Sequence, residues 1–291
     1  MTEQKDRQKR VAVIQDMSGF GRCSLTVALP LLSAKGICAC PLPTAILSNH
    51  TGYPSFYFYD FTEQISAYVE EWRKMALFFD GIYIGFLGSE EQIGLVERFI
   101  RDFKREDTLV ILDPVMGDHG ETYATYTSAM CREIRNLVAK ADILTPNLTE
   151  ACILTGREYR QKGWKRKELQ ELAEDLTDRG AGKIVITGIE QGSFVSNFYY
   201  ERDGEAGFIR RKKTAKSRPG TGDVFASLVA ADSVNGMDFP GAVAEAADFV
   251  RACLIESERQ RIPLEDGVCF ERFMYLKRTC AARGSGRGRE L

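Results

Sequence analysis

Gly81-Ile82-Tyr83-Ile84-Gly85-Phe86-Leu87, a long amphipathic run opening at Ser89-Glu90-Glu91-Gln92, and then Thr108-Leu109-Val110-Ile111-Leu112-Asp113-Pro114 form the stretch that decides the fold. The two outer runs are short, continuous and apolar, as strands buried on both faces must be. The run between them carries a capping-box pattern, Ser89 with Gln92 three residues on, and reads as a helix to about Glu106. Strand, helix and strand of this length imply a right-handed crossover between parallel strands.

Working outward, the same alternation recurs. Arg10 to Gln15 reads as a first strand, Ser24 to Lys35 as a helix stopped by Gly36, and Ile37 to Leu47 as a second extended stretch. Helices follow at Thr62 to Leu77, Ser128 to Lys140, from Leu148, and at Lys167 to Arg179. Strands are expected at Asp142 to Pro146 and Lys183 to Thr187. Ser193 to Tyr200 and Ala206 to Lys213 alternate around Asp203-Gly204 and read as an antiparallel hairpin on the sheet edge. Two helices close the pattern, Asp223 to Val234 and Pro240 to Glu258. The fold class is α/β, with a mostly parallel sheet covered on both faces. Residues 1–9 form a polar arm, 10–280 a single domain, and 281–291 a Gly- and Arg-rich tail expected to be disordered.

The chain has 291 residues, 44% of them hydrophobic, and a formal net charge of −2. That charge gives no general attraction to nucleic acid or to an anionic membrane. No apolar run approaches the ~18 residues a membrane helix needs. Met1 to Arg10 lacks the apolar core of a secretory signal. Eight cysteines without a regular framework suit reduced thiols in the cytoplasm. Cys38-Ala39-Cys40 has only His50 and His119 to help it hold a metal, so it is read as structural.

In parallel sheets ligands bind beyond the carboxyl ends of the strands, and the candidate chemistry falls there. Gly220-Thr221-Gly222-Asp223 precedes an apolar helix, so its backbone N–H groups belong to a helix N-terminus suited to a phosphate. Asp223 places a carboxylate beside that anion hole, where it can take the proton of an attacking hydroxyl. The alternative for Asp223 is a favourable charge at a helix start. Asp113 and Asp118 follow one strand and Glu150 the next, which is the arrangement of hard oxygen ligands a magnesium–nucleotide site needs. Ser18-Gly19-Phe20-Gly21-Arg22 departs from the dinucleotide fingerprint at Ser24 and lines a small-molecule pocket or makes a plain turn. The basic run Arg210, Arg211, Lys212, Lys213, Lys216 and Arg218 reads mainly as a protected hairpin edge.

Ala12-Val13-Ile14-Gln15, Ser48-Asn49-His50-Thr51, Gly85-Phe86-Leu87-Gly88-Ser89, Asp113-Pro114-Val115-Met116-Gly117, Pro146-Asn147-Leu148-Thr149-Glu150 and Gly220-Thr221-Gly222-Asp223 occur in order along the chain. With these segments, from about Arg10 to Lys277, the chain resembles the pyridoxal/pyridoxamine (vitamin B6) kinases of the ribokinase-like superfamily. The resemblance implies a ribokinase-like three-layer α/β/α domain that phosphorylates a hydroxymethyl group on a pyridine ring from ATP. It also implies Mg2+, in many members K+, and a homodimer. By family role, Asp223 is the base and Gly220 and Gly222 line the anion hole. Asp113, Thr145, Glu150 and Thr187 match nucleotide or metal positions, with Thr221 counted among the nucleotide contacts. Thr51 matches a substrate contact, and Asp16 and Ser18 lie on the same side. Asp16 is a departure, since a serine that touches the ring is common there. Two alternatives stand beside a B6 kinase: a hydroxymethylpyrimidine kinase of thiamine synthesis, and a vitamer- or nucleotide-binding regulator that has lost catalysis.

Overall fold

The computed structural model describes residues 7–123, 126–202 and 204–274. The first six residues of the polar arm, Asp203 of the hairpin turn and the tail from 281 lie outside the described residues.

The chain opens with strand β1 (Arg10–Ser18), helix α1 (Leu25–Ala34) and strand β2 (Cys38–Leu47), the crossover the sequence predicts. A short strand β3 (Phe58–Asp60) is absent from the sequence expectations, because three exposed residues carry no period to read. Helix α2 (Thr62–Lys74) leads to strand β4 (Gly81–Ile84), helix α3 (Glu90–Phe103) and strand β5 (Leu109–Leu112). Strands β6 (Gly117–Asp118) and β7 (Glu121–Thr122) make a tiny hairpin outside the main sheet. Helix α4 (Ser128–Val138), strand β8 (Ile143–Leu144), helices α5 (Leu148–Thr155) and α6 (Arg166–Asp178), and strand β9 (Lys183–Gln191) continue the alternation. Strands β10 (Phe194–Glu201) and β11 (Ala206–Lys212) form the expected edge hairpin, and helices α7 (Thr221–Val234) and α8 (Phe239–Arg259) follow.

The main sheet runs β11-β10-β9-β8-β5-β4-β1-β2-β3. Its pairs from β2 through β1, β4, β5 and β8 to β9 are all parallel, and both edges are antiparallel. Alternation along β1 divides the core: Ala12 and Ile14 join the packing under α2 to α6, while Val11 and Val13 face α1, α7 and α8. The result is three layers, helix over sheet over helix. The chain order reverses at β1, between β2 on one side and β4 on the other, and a crevice at such a reversal is where α/β sheets bind ligands.

One local expectation is modified. Ser89 caps α3 by accepting from the Gln92 N–H (3.3 Å), but the Gln92 side chain turns inward instead of returning to Ser89. Its Oε1 accepts from the Gly88 N–H (2.7 Å) and its Nε2 donates to the Thr44 carbonyl (2.8 Å), fixing the backbone just beyond β4. Burial of an amide requires such partners.

Candidate active site

Helix α7 begins at a loop that only glycine permits. Gly220 has φ +77°, and a Cβ there would sit 1.8 Å from the Arg22 carbonyl oxygen. A Cβ on Gly222, by contrast, meets no protein atom within 4 Å, so what glycine keeps clear there is the cleft. Thr221 turns both its N–H (3.2 Å) and its hydroxyl (2.7 Å) to the Arg218 carbonyl. The N–H groups of Gly222 and Asp223, in the first turn, have no intrahelical acceptor and remain for an anion.

Asp223 stands on this first turn. Burial raises its carboxyl to about 6, the charge of Asp16 adds to the rise, and the Ser24 N–H opposes it. A base with that value is ionised near neutrality yet holds a proton readily.

Asp113, just past β5, is 8% exposed and accepts from the Thr145 hydroxyl (3.0 Å). Burial and the charge of Asp223 push its carboxyl upward. Glu150 caps α5: its Oε2 accepts from the Asn147 N–H (2.7 Å) and its Oε1 from the Met116 N–H (3.2 Å). Burial and then the charge of Asp113 raise it well above the carboxylate range. Two buried acids that repel each other mark a place for positive charge. Asp118 is set apart, exposed on the β6–β7 turn, with its Oδ1 accepting from the His119 N–H (2.8 Å). Its charge still reaches Glu150. Thr187 pairs with Pro146 through its N–H (2.9 Å), which places it beside the start of α5.

Among the described residues no three His, Cys, Asp or Glu side chains form a metal cage. Asp113 and Glu150 are hard oxygen donors, the class that magnesium takes alongside retained waters.

On the other side of Asp223 lies Asp16, 5% exposed, with its Oδ2 accepting from the Ser18 hydroxyl (3.0 Å). The Ser24 hydroxyl also supports it, while burial raises its carboxyl. Ser24 adopts φ +50° and makes no side-chain cap for α1, which leaves its hydroxyl to Asp16. Thr51 lies exposed on the loop after β2, next to buried His50, whose ring packs against Gly21. Asp16 and Ser18, at the end of β1, and Thr51, on the loop after β2, thus stand near the contact between Gly21 and His50.

Sequence reasoning missed several residues here. The Tyr83 phenol is fully buried and raised by burial and by the charges of Asp113 and Asp223, with Ser227 and Gln15 beside it. Ser227, four residues after Asp223 in an apolar run, was the available signal for this polar floor. Tyr123 feels Glu150, Asp118, Asp223 and Asp113, and an isolated tyrosine in a loop gives no signal at all. Arg218, part of the basic run, is buried and donates to the carbonyls of Ile262 (2.9 Å) and Pro263 (2.8 Å), while Arg211 pairs with Asp248.

This geometry has clear relatives. A solved structure of a candidate phosphomethylpyrimidine kinase from Bacteroides thetaiotaomicron matches with a TM-score of 0.90 and 36% identity, covering 94% of this chain and 95% of that one. A second crystal form of that protein, with pyridoxal, matches with a TM-score of 0.85 over 92% of this chain and 95% of that chain. A pyridoxine/pyridoxal/pyridoxamine kinase of Bordetella avium is 28% identical over 255 residues, 82% of each chain. The family model described as phosphomethylpyrimidine kinase matches residues 32–265. The chain belongs to the phosphomethylpyrimidine kinase family and is a small-molecule kinase similar to the vitamin B6 kinases of the ribokinase-like superfamily.

Proposed function

We propose that this kinase transfers the γ-phosphoryl group of ATP to the hydroxymethyl group of a vitamin B6 vitamer, with Asp223 as general base. The observation that carries the reading is the single carboxylate of Asp223 set on the first turn of α7, inside an N–H hole that Gly222 keeps open. Asp223 accepts the hydroxyl proton as the oxygen attacks the γ-phosphorus. The N–H groups of Gly220, Gly222 and Asp223 receive the negative charge on the transferring group. Asp113 and Glu150, backed by Thr145, Thr187 and the charge of Asp118, would hold Mg2+, which when bound would neutralise phosphate charge and fix the nucleotide. Asp16, Ser18 and Thr51 contact the ring substituents. K+, a homodimer and a cytoplasmic setting complete the reading by family resemblance.

Pyridoxal in the Bacteroides structure supports a B6 vitamer as acceptor. The family model's description favours a second reading, a hydroxymethylpyrimidine kinase, which uses the same base and anion hole on a different ring. ATP consumption with pyridoxal, pyridoxamine, pyridoxine and hydroxymethylpyrimidine separates them. A vitamer is expected to give the highest kcat/KM. A pyrimidine that outcompetes all three vitamers replaces the first reading with the second.

A further inference from the structure

The segment after α8, residues 262–268, supplies none of the proposed reacting groups, yet it contacts the chain just after β1, the loop of Thr51 and the loop before α7. It holds the loop of Thr51 twice. The Gly52 N–H donates to His50 Nδ1 (3.1 Å), so the His50 proton sits on Nε2, which donates to the Glu265 carbonyl (2.7 Å). The Tyr53 hydroxyl donates to Asp266 Oδ1 (2.8 Å). It holds the loop that follows β1, the strand of Asp16, through Arg22, whose Nη1 donates to the Asp266 carbonyl (3.0 Å) and whose Nε pairs with Glu271 (2.6 Å). Gly267, at φ +82°, lies so close that a Cβ would come within 3.1 Å of the Arg22 backbone N and O. It holds the anion-hole loop through Arg218 and through the Val268 N–H, which donates to the Pro219 carbonyl (3.2 Å).

Asp266 is the junction: its side chain takes Tyr53 and its carbonyl takes Arg22. The Arg22 carbonyl in turn abuts Gly220, where a Cβ would lie 1.8 Å away. Tyr53, Asp266, Arg22 and Gly220 therefore form a continuous series of neighbours from the Thr51 loop to the start of α7. We propose that Tyr53 and Arg22 are positioning residues which, through Asp266, couple acceptor binding at Thr51 and Asp16 to the geometry of the Gly220–Asp223 anion hole. The inference rests on the proposed acceptor site, and it predicts that a seated acceptor tightens nucleotide binding. Any such coupling is reciprocal.

The test is calorimetric binding of a non-hydrolysable ATP analogue with magnesium, alone and with saturating pyridoxamine or hydroxymethylpyrimidine. In the wild type the acceptor is expected to tighten the analogue by about 5-fold or more. Tyr53→Phe removes one hydroxyl at the loop surface, and should bring that ratio to within about 2-fold of unity while each ligand alone binds nearly as in wild type. Asp266→Ala should do the same, and the double variant should lose no more than either single one. Asp266→Asn, which keeps the Oδ1 acceptor, should retain the coupling. A purely structural role would instead weaken both ligands in every variant, without changing the ratio. Binding of the acceptor with no effect on the analogue, or a Tyr53→Phe variant with undiminished coupling, overturns the inference alone. Failure of both acceptors to bind on their own overturns the proposed acceptor site and the inference with it.

Discussion

Burial raises the carboxyl of Asp223, and the charge of Asp16 makes it harder still to ionise. For Asp223 the outcome is a carboxyl raised to about 6. Asp223→Asn keeps the shape and removes the acceptor for the proton, so kcat should fall ~10²–10⁴-fold with nucleotide affinity within a few fold. Near-normal turnover in that variant would remove Asp223 from the role. The acid limb of kcat/KM in the wild type should lie close to the same value of about 6, because only the ionised carboxylate accepts a proton. Asp16 raises a question of preference. An acceptor that brings an ammonium, as pyridoxamine does, relieves the repulsion and makes a charge-assisted bond, whereas the aldehyde of pyridoxal only accepts. The wild type is therefore expected to favour pyridoxamine over pyridoxal. Asp16→Ser should move kcat/KM toward pyridoxal by up to ~10–100-fold, the effect of losing roughly 1.5–3 kcal/mol. It should also lower the acid limb, since the charge that raises Asp223 is gone. A pyridoxal preference already present in the wild type and left unchanged by Asp16→Ser would refute this assignment.

Helix α5 shows how one element serves structure and site together. Glu150 closes the capping box with Asn147, a role any acid or glutamine fills at that position, yet the same carboxylate lies buried against Asp113. Glu150→Gln keeps an acceptor for the backbone and deletes the charge. The magnesium requirement and the KM for ATP should then rise more than the KM for the acceptor, and an unchanged magnesium titration would take Glu150 out of the site. Elements of this kind are legible in sequence because their signals are local: an apolar run for β4 or β5, Asn147 with Glu150 for α5, a pair of glycines for the start of α7. The edge hairpin β10–β11 was equally plain from its alternation. What sequence could not carry was long-range. β3 exists only as a partner for β2, and Gln92 gives up half a capping box to bind Thr44 from a neighbouring strand. The segment 262–268 acts through backbone carbonyls, the Val268 N–H, one glycine and the Asp266 carboxylate, and its meaning appears only when Arg22, Tyr53 and Arg218 arrive from elsewhere. Asp113, Glu150 and Asp223 could be named as acids at strand and helix ends. Their mutual repulsion required the sheet.

At the scale of the whole molecule, the parallel sheet gathers acids into one crevice, while the chain as a whole is nearly balanced, at a formal net charge of −2. Self-repulsion of the whole chain is therefore a small term, and the pH dependence of stability should report the crevice. Asp113 illustrates the sign. Its carboxyl rises from an ordinary 3.8 to about 8 in the fold, so the native state binds a proton that the unfolded chain has already released. The neutral form is the one the buried site accommodates. Stability from this group is complete below the ordinary value and is lost as pH climbs through about 8. Asp223, raised to about 6, and Glu150, raised further by Asp113, act in the same direction. The ligand-free protein should accordingly melt at a lower temperature as pH rises across that window. One pKa unit is ~1.4 kcal/mol, and a kcal/mol moves Tm by roughly 2–4 °C in a chain of this size, so the slope should amount to several degrees. Asp113→Asn should flatten it, and so should magnesium with a nucleotide analogue, because positive charge between Asp113 and Glu150 returns both carboxylates to their ionised form. A wild type whose Tm is level from mildly acid to mildly alkaline pH, with Asp113→Asn no flatter, would mean that the two carboxylates are not held against each other in the folded protein.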